Sequence, residues 1–200
     1  MDNKASKAPN HPKKGSTIKV EPIRDIKAIK RIKKILADKP RDLCLFTLGI
    51  NTAYRANELL SIRVRDVAHL QLGDVLEIKQ SKVKKHRKVT LNKNVIESIT
   101  ALFASHDYQT NDFLFYSQRA PVLTVEAVNH LMKQWCKDVG LKGNYGSHSL
   151  RKTWGYHQRI QKNAPIPLLM EAFGHSTQKQ TLDYLGIQAQ EIQDLYALEL

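Results

Sequence analysis

The sequence predicts an α+β domain that is mainly α-helical and contains one small antiparallel β-sheet. Apolar residues recur at the three- and four-residue spacing of amphipathic helices through most of the 200-residue chain. This spacing changes around residues 75–91, where two short runs have the composition of strands. The chain shows no internal repeat. We therefore expect one ordinary domain with tails, large enough to bury a core.

Residues 1–20 are predicted to form a disordered basic arm. Five lysines lie there among proline and glycine, and almost no apolar side chain is available for burial. Such an arm either follows the phosphates of a nucleic acid or is a solubilising extension. The folded domain is predicted over residues 21–187.

Three helices are predicted at the start of this domain. The first is basic and amphipathic, begins at Ile23 and ends near Pro40, because proline cannot continue a helix. The second covers about 41–51. A short third helix carries Arg55 and Glu58, whose spacing of three residues places them on one helix face.

Two strands, 75–78 and 88–91, are predicted to pair as a hairpin. The stretch between them is the densest positive segment of the chain, and a hairpin tip of this charge is suited to a DNA groove. The candidate DNA-binding residues of the hairpin are Lys79, Lys84, Lys85, Arg87 and Lys88.

The second half of the chain is predicted to be helical. Asn92 or Asn94 caps the next helix, since an Asn side-chain oxygen accepts from free backbone donors, and Thr124 starts the one after it. Further helices are predicted at about 148–161, 166–173 and 178–185. A last helix over 188–200 has an apolar stripe and is too short to be stable without packing on something.

The composition restricts the partners and the cofactors. A formal net charge of +13 favours a polyanionic partner, either nucleic acid or an anionic membrane surface. The sequence has neither an apolar run of about 18 residues nor the apolar core of a signal peptide, so a cytoplasmic protein is expected. Cys44 and Cys136 lie in apolar helical patterns and are predicted to be buried thiols. No metal-ligand spacing and no Gly-rich phosphate loop occurs, so no cofactor is expected.

Several side chains are suited to attack on a phosphodiester. Such a reaction needs a nucleophile, a proton acceptor and donor, and cations that stabilise the charge on the phosphate oxygens. Tyr184 is the nucleophile candidate, and Arg55 and Arg151 are candidates for the cationic clamp. His148 lies one helical turn before Arg151, near a helix N-terminus that itself favours phosphate. His175 either donates to a phosphate oxygen or ends the preceding helix.

Together these residues resemble the tyrosine recombinases, the phage-integrase family. Arg55 in its helix, the basic hairpin, the run His148-Ser149-Leu150-Arg151, the pair Gly174-His175 and Tyr184 occur in the order and spacing of that family. The resemblance covers about residues 22–200 and implies the fold of the family's catalytic domain. The family often has leucine at Phe173 and proline at Thr90, and these differences do not affect the chemistry.

The resemblance also implies a role for each residue. Arg55 and Arg151 clamp the phosphate, with Glu58 in support, and Lys82 is the general acid for the leaving 5′-hydroxyl, with Lys84 or Lys85 as alternatives. His148 is the acid/base, His175 bonds the scissile phosphate, and Tyr184 forms a 3′-phosphotyrosyl link.

The activity implied is site-specific DNA recombination without metal or ATP, on double-stranded DNA and in a homo-oligomer, a tetramer. In the family the C-terminal segment docks on a neighbouring protomer; packing on its own domain is the alternative. The family's usual N-terminal core-binding domain is missing, as in a natural short form or an isolated fragment. The competing functions are a catalytically silent DNA-binding regulator of recombination and a type IB topoisomerase.

Overall fold

The computed structural model describes residues 19–79 and 86–186, together with 193, 195–197 and 199. Within these residues the chain is mainly helical with one two-stranded antiparallel sheet, which confirms the predicted fold class. The helices are α1 (Ile26–Ile35), α2 (Pro40–Thr52), α3 (Ala56–Leu60), α4 (Val64–Val67), α5 (Lys93–Ser105), α6 (Val125–Asp138), α7 (Ser147–Lys162), α8 (Ile166–Phe173) and α9 (Gln178–Leu185), and the strands are β1 (Val75–Lys79) and β2 (His86–Thr90).

The first helix begins later than predicted. The Asp25 carboxylate accepts a hydrogen bond from the Lys27 backbone N–H at 2.7 Å and so caps the N-terminus of α1. Ile23 lies before this cap in an extended segment, where it is fully buried. Its backbone N–H donates to the Thr153 hydroxyl at 2.8 Å. Ile23 therefore joins the core from outside the helix, which its spacing alone does not reveal.

Two other helix starts agree with the sequence. The Asn92 side-chain oxygen accepts from the Val95 N–H at 3.1 Å, which makes Asn92 the cap of α5 rather than Asn94. The Thr124 hydroxyl caps α6 in the same way. The short helix α4 was not predicted, since four residues are too few to show a period.

The hairpin has the predicted position, but its second strand begins earlier. Val75 pairs with Thr90 and Lys79 with His86, so β2 includes Arg87 and ends before Leu91. Successive residues of β2 alternate between exposed and half-buried, and Arg87 and Val89 share the inner face. This alternation follows from the two-residue period of a strand and decides where Arg87 lies.

Helix α2 lies at the centre of the domain and packs against α5 and α7. The contact with α7 is close at Gly49, where a Cβ atom would lie 2.7 Å from Leu150. On the other side of α7, a Cβ atom at Gly155 would lie 2.4 Å from Phe173 in α8 and 2.8 Å from Leu185 in α9. Helix α7 is thus held between α2 on one side and helices α8 and α9 on the other, and it packs against all three.

The two cysteines are buried and free, as predicted. Nearly all of the basic arm lies outside the described residues, as does most of the predicted C-terminal helix. The described positions of that tail are exposed, among them Leu195 and Tyr196. None of the helices in the described part of the chain is long and apolar enough to cross a membrane.

Candidate active site

The first cation of the site is fixed by the start of α3. Arg55 is the N-cap residue of that helix, and Glu58 follows at its third position. The Glu58 carboxylate accepts from the Arg55 backbone N–H at 2.6 Å and from the Arg55 guanidinium at 3.0 Å. Glu58 is 5% exposed, whereas the Arg55 side chain is 35% exposed. Glu58 therefore orients Arg55, and Arg55 keeps an open side.

The second cation comes from α7. The first turn of α7 is capped twice: the Ser149 hydroxyl accepts from the Gly146 N–H at 3.1 Å, and the Asn129 side-chain oxygen accepts from the Ser147 N–H at 3.1 Å. His148 and Arg151 project from the same face of this end of the helix. Their relative position is therefore set by the caps.

Arg151 is buried, with only 2% of its surface exposed. Its guanidinium donates to the carbonyl oxygens of Ala53 and Phe173. Ala53 ends α2 in the left-handed conformation, with φ of 55°, which is unusual for a residue with a Cβ atom. Burial lowers the pKa of Arg151 to about 9, and the nearby Arg87 adds to the shift, so the group stays cationic at neutral pH.

The histidines lie beside these cations. His148 is exposed on the open side of the site. Burial of the inner part of its ring lowers the pKa of His148, and the charges of Arg151 and Arg55 lower it in the same direction. Its imidazole is therefore neutral at pH 7 and can accept a proton.

His175 follows the left-handed Gly174 that ends α8. Its Nδ1 lies 3.0 Å from the Thr181 hydroxyl, and its ring stacks on Phe173 with centroids 5.0 Å apart. Burial, and to a smaller extent the charges of Arg151, Arg55 and Arg87, lowers the pKa of His175 to about 4. The contact with Thr181 occupies one ring nitrogen, so Nε2 is the nitrogen available for a substrate oxygen.

Tyr184 in α9 completes the cluster. Its ring centroid lies 5.2 Å from that of His175, 5.9 Å from the Arg151 guanidinium carbon and 4.8 Å from Lys152 Nζ. The hydroxyl is buried and lacks a well-formed hydrogen bond to any described residue. Burial raises the pKa of Tyr184, while Arg151 and Arg55 oppose that rise. A cavity of about 540 Å³ opens beside the phenol and is also lined by His148 and Lys152.

The predicted hairpin residues have different placements. Lys82, Lys84 and Lys85 lie outside the described residues, so the structure does not place the predicted general acid. Lys79 is the last residue of β1. Lys88 has an exposed side chain whose Nζ lies 3.6 Å from the Glu77 carboxylate, a position open to DNA.

Arg87 lies on the inner face of the hairpin and bonds groups of the protein. Its side chain is 10% exposed, and its guanidinium donates to Glu58 at 3.0 Å, to the Ala53 carbonyl at 3.2 Å and to the Ala172 carbonyl. Its contact with DNA stays a prediction, and the inward face of β2 directs its guanidinium under the site. The strand period around Val89 could have revealed this, because residues 87 and 89 share a face.

Two further residues near the cluster were missed. Lys152, which follows Arg151 directly, is 9% exposed and lies over the Tyr184 ring. Thr181 is fully buried against His175, and a separation of six residues across a turn gives no sequence signal. Over the described ranges, no group of three or more His, Cys, Asp or Glu side chains could hold a metal ion.

Comparison with known proteins agrees with this geometry. The chain matches the phage integrase family over residues 24–191. It is 34% identical over 171 residues to the probable integrase/recombinase YoeC of Bacillus subtilis (strain 168), a match that covers 84% of this chain and 90% of YoeC. It is 27% identical over 160 residues to the tyrosine recombinase XerC of Caldanaerobacter subterraneus subsp. tengcongensis, covering 78% of this chain and 44% of XerC.

Solved structures show the same fold. The crystal structure of XerA recombinase aligns with a TM-score of 0.73 at 19% identity, over 88% of this chain and 65% of XerA. The XerH site-specific recombinase bound to palindromic difH substrate aligns with a TM-score of 0.73 at 21% identity, over 90% of this chain and 54% of XerH. The chain thus spans about half the length of the XerC and XerH proteins that it matches.

The fold and the site define a helical domain in which arginine and histidine side chains surround one tyrosine. The family match covers most of the chain, and YoeC is similar over nearly its whole length. The chain belongs to the phage integrase family, the tyrosine recombinases, as its motifs predict.

Proposed function

We propose that this protein is a site-specific DNA recombinase that cuts and rejoins double-stranded DNA through a 3′-phosphotyrosyl intermediate. The observation that carries the proposal is the convergence on Tyr184 of groups that are far apart in sequence. Arg151 and His175 surround its ring directly, and the charge of Arg55 acts on its hydroxyl. A tyrosine that only filled a core would need no such cations.

In the proposed reaction the Tyr184 oxygen forms a bond to phosphorus while the bond from phosphorus to the 5′ oxygen breaks. The phenol proton passes to His148, which is neutral at the working pH. Arg55 and Arg151 stabilise the charge on the non-bridging oxygens, and the His175 imidazole donates to one of them. The leaving 5′ oxygen takes a proton from Lys82. A 5′-hydroxyl of a second strand then reverses these steps, so the bond energy is kept and no cofactor is consumed.

The charge of the chain supports the choice of substrate. A formal net charge of +13 on 200 residues favours contact with DNA phosphates along the surface around the site. Recombination joins two duplexes, so the proposal includes assembly of four protomers on paired sites. A cytoplasmic location is also part of the proposal. The C-terminal residues 188–200 are proposed to contact a neighbouring protomer, as the exposure of Leu195 and Tyr196 allows.

Trapping of the covalent intermediate tests the proposal. A suicide duplex nicked just 3′ of the scissile phosphate loses its short 5′-terminated fragment, so that rejoining is prevented and a protein–DNA adduct accumulates. The wild type is expected to form the adduct, with DNA attached to Tyr184 by peptide mapping. Tyr184→Phe should form none, whereas the control Tyr116→Phe, which alters a half-buried tyrosine stacked on His106 away from the site, should behave as the wild type.

The other outcomes assign other functions. An adduct in Tyr184→Phe would show that the nucleophile is misassigned. Specific DNA binding without any adduct in the wild type would assign a silent regulator. Relaxation of a plasmid by a single protomer, without paired sites, would assign a type IB topoisomerase.

A further inference from the structure

We infer that Arg87 is a positioning residue for the proposed cleavage: it holds the Arg55–Glu58 pair and the end of α8 in the arrangement that presents both clamp arginines to the phosphate. This inference rests on the proposed function. It gives an inward-facing residue of the basic hairpin a role that does not involve touching DNA.

The contacts of Arg87 join three segments that carry the site. Its guanidinium bonds Glu58 in α3, the Ala53 carbonyl at the end of α2 and the Ala172 carbonyl at the end of α8. The guanidinium carbon also lies 5.2 Å from the centroid of the Tyr54 ring. A planar fork with five N–H donors can reach acceptors in separate segments in this way, whereas the three donors of an ammonium group all leave one nitrogen atom.

Arg87 and Arg151 bind the same framework side by side. Both donate to the Ala53 carbonyl, and they take successive carbonyls at the end of α8, those of Ala172 and Phe173. The C-terminal end of a helix carries partial negative charge, so it favours both cations. Since Gly174 and His175 follow directly, the position of His175 depends on the same contacts.

The Glu58 carboxylate explains why a second arginine is needed. Glu58 is buried, and a buried carboxylate without a charged partner is strongly destabilising. When Arg55 turns its guanidinium towards a DNA phosphate, its bond to Glu58 is weakened. Arg87 remains bonded to Glu58 at 3.0 Å and keeps that carboxylate compensated. Arg55 is then free to exchange one anionic partner for another.

Arg87→Gln and Arg87→Lys test this role, with Arg41→Gln as a matched control. Arg41 is also half-buried, bonds the Asp42 carboxylate and the Tyr116 carbonyl, and lies over the Tyr116 ring. The measurements are thermal unfolding, affinity for the nicked duplex and the single-turnover rate of adduct formation at saturating DNA. Because displacement of reacting groups by about 1 Å costs about 100-fold in rate, both Arg87 variants should lose about that factor. Their DNA affinity should be unchanged, and Arg41→Gln should keep the wild-type rate.

A second substrate separates positioning from general loss of structure. A methylphosphonate at the scissile position replaces one charged oxygen by a methyl group, so the reaction depends less on the cationic clamp. The rate defect of the Arg87 variants should therefore shrink on this substrate. An equal defect on both substrates would overturn the inference. A weaker affinity for DNA would also overturn the inference if the slope of log affinity against log salt concentration decreased by the amount of about one phosphate contact. That result would identify Arg87 as a DNA ligand.

Amide hydrogen exchange tests the same role without DNA or catalysis. Removal of Arg87 should speed exchange at Leu59 in α3 and at Gly174 and His175, whose N–H groups bond within the segments that Arg87 joins. Arg41→Gln should leave these amides unchanged. If the wild type forms no adduct, faster exchange still supports the positioning role while the proposed function fails. Unchanged exchange overturns the role in either case, and Arg87→Lys, which retains the charge beside Glu58, provides the measurement if Arg87→Gln does not fold.

Discussion

Arg55 and Arg151 have the same side chain and the same proposed partner, but the protein holds them differently. Arg55 is 35% exposed and is bonded to a carboxylate, that of Glu58. Arg151 is 2% exposed and is bonded to two neutral carbonyls. The charge of Arg55 is thus partly balanced before DNA arrives, whereas no carboxylate within residues 19–79 and 86–186 bonds the guanidinium of Arg151.

This difference divides the proposed clamp into two halves. The adjustable half is Arg55 with Glu58, and the fixed half is Arg151 with the carbonyls of Ala53 and Phe173. An unbalanced cation in a region with little water acts strongly on a nearby anion. The Arg151 guanidinium carbon also lies 5.9 Å from the centroid of the Tyr184 ring, so Arg151 acts directly on the proposed nucleophile. The open side of Arg55 faces solvent, so in the proposed reaction its guanidinium can turn from Glu58 to the phosphate. We therefore expect the two residues to contribute unequally to cleavage.

The largest expected effect is that of Arg151→Ala. Loss of one preorganised donor to a transition-state oxyanion costs about 100- to 1,000-fold in rate, and we expect the upper end for Arg151→Ala and the lower end for Arg55→Ala. The measurement is the single-turnover rate of adduct formation at saturating DNA. Arg119→Ala, at an exposed arginine away from the site, is the control. Equal losses at Arg55 and Arg151 would contradict the division.

A smaller effect is expected from Gly155→Ala, which changes the packing of α7, the helix of Arg151, against α8 and α9. The added methyl would lie 2.4 Å from Phe173 and 2.8 Å from Leu185, so α8 and α9 must move away from α7. Overpacking of this kind costs about 1–3 kcal/mol in the free energy of unfolding. The direction of the change in the free energy of unfolding identifies the cause, because alanine in a helix is otherwise favoured over glycine by about 1 kcal/mol. A stabilised variant in urea unfolding would show that the contact is loose.

The sequence predicts the residues of both halves better than their surroundings. Helical spacing and capping residues predict most elements, since Asn92, Thr124 and the glycine after α8 act locally. The chemistry of Arg55, Arg151 and Tyr184 is also recognisable from residue type and order. These signals depend on near neighbours in the chain.

Contacts between distant segments are what the sequence does not reveal. The Ala53 carbonyl binds Arg87 and Arg151 only because α2 ends in a left-handed residue beside β2 and α7. Backbone acceptors leave no trace in residue type. The positive charge of the hairpin likewise predicts a DNA surface for all its cations, and only the strand period separates Arg87 from Lys88.

The smallest effect concerns pH and His175, which rests against the fixed half. Burial, together with the charges of Arg151, Arg55 and Arg87, lowers the pKa of His175 to about 4, whereas an unfolded chain has a histidine pKa of about 6.5. Between these values the unfolded chain binds a proton that the folded protein does not. The free energy of unfolding is therefore fully retained above about pH 6.5 and falls as the pH drops towards 4.

His175→Gln should reduce this fall without abolishing it, because burial and the same arginines also lower the pKa of His148. The measurement is urea unfolding at several pH values through the window, with His130→Gln at an exposed position of α6 as the control. If His175→Gln shows the wild-type dependence, the imidazole is not held against the cations in solution. The fixed half would then be limited to Arg151 and its two carbonyls.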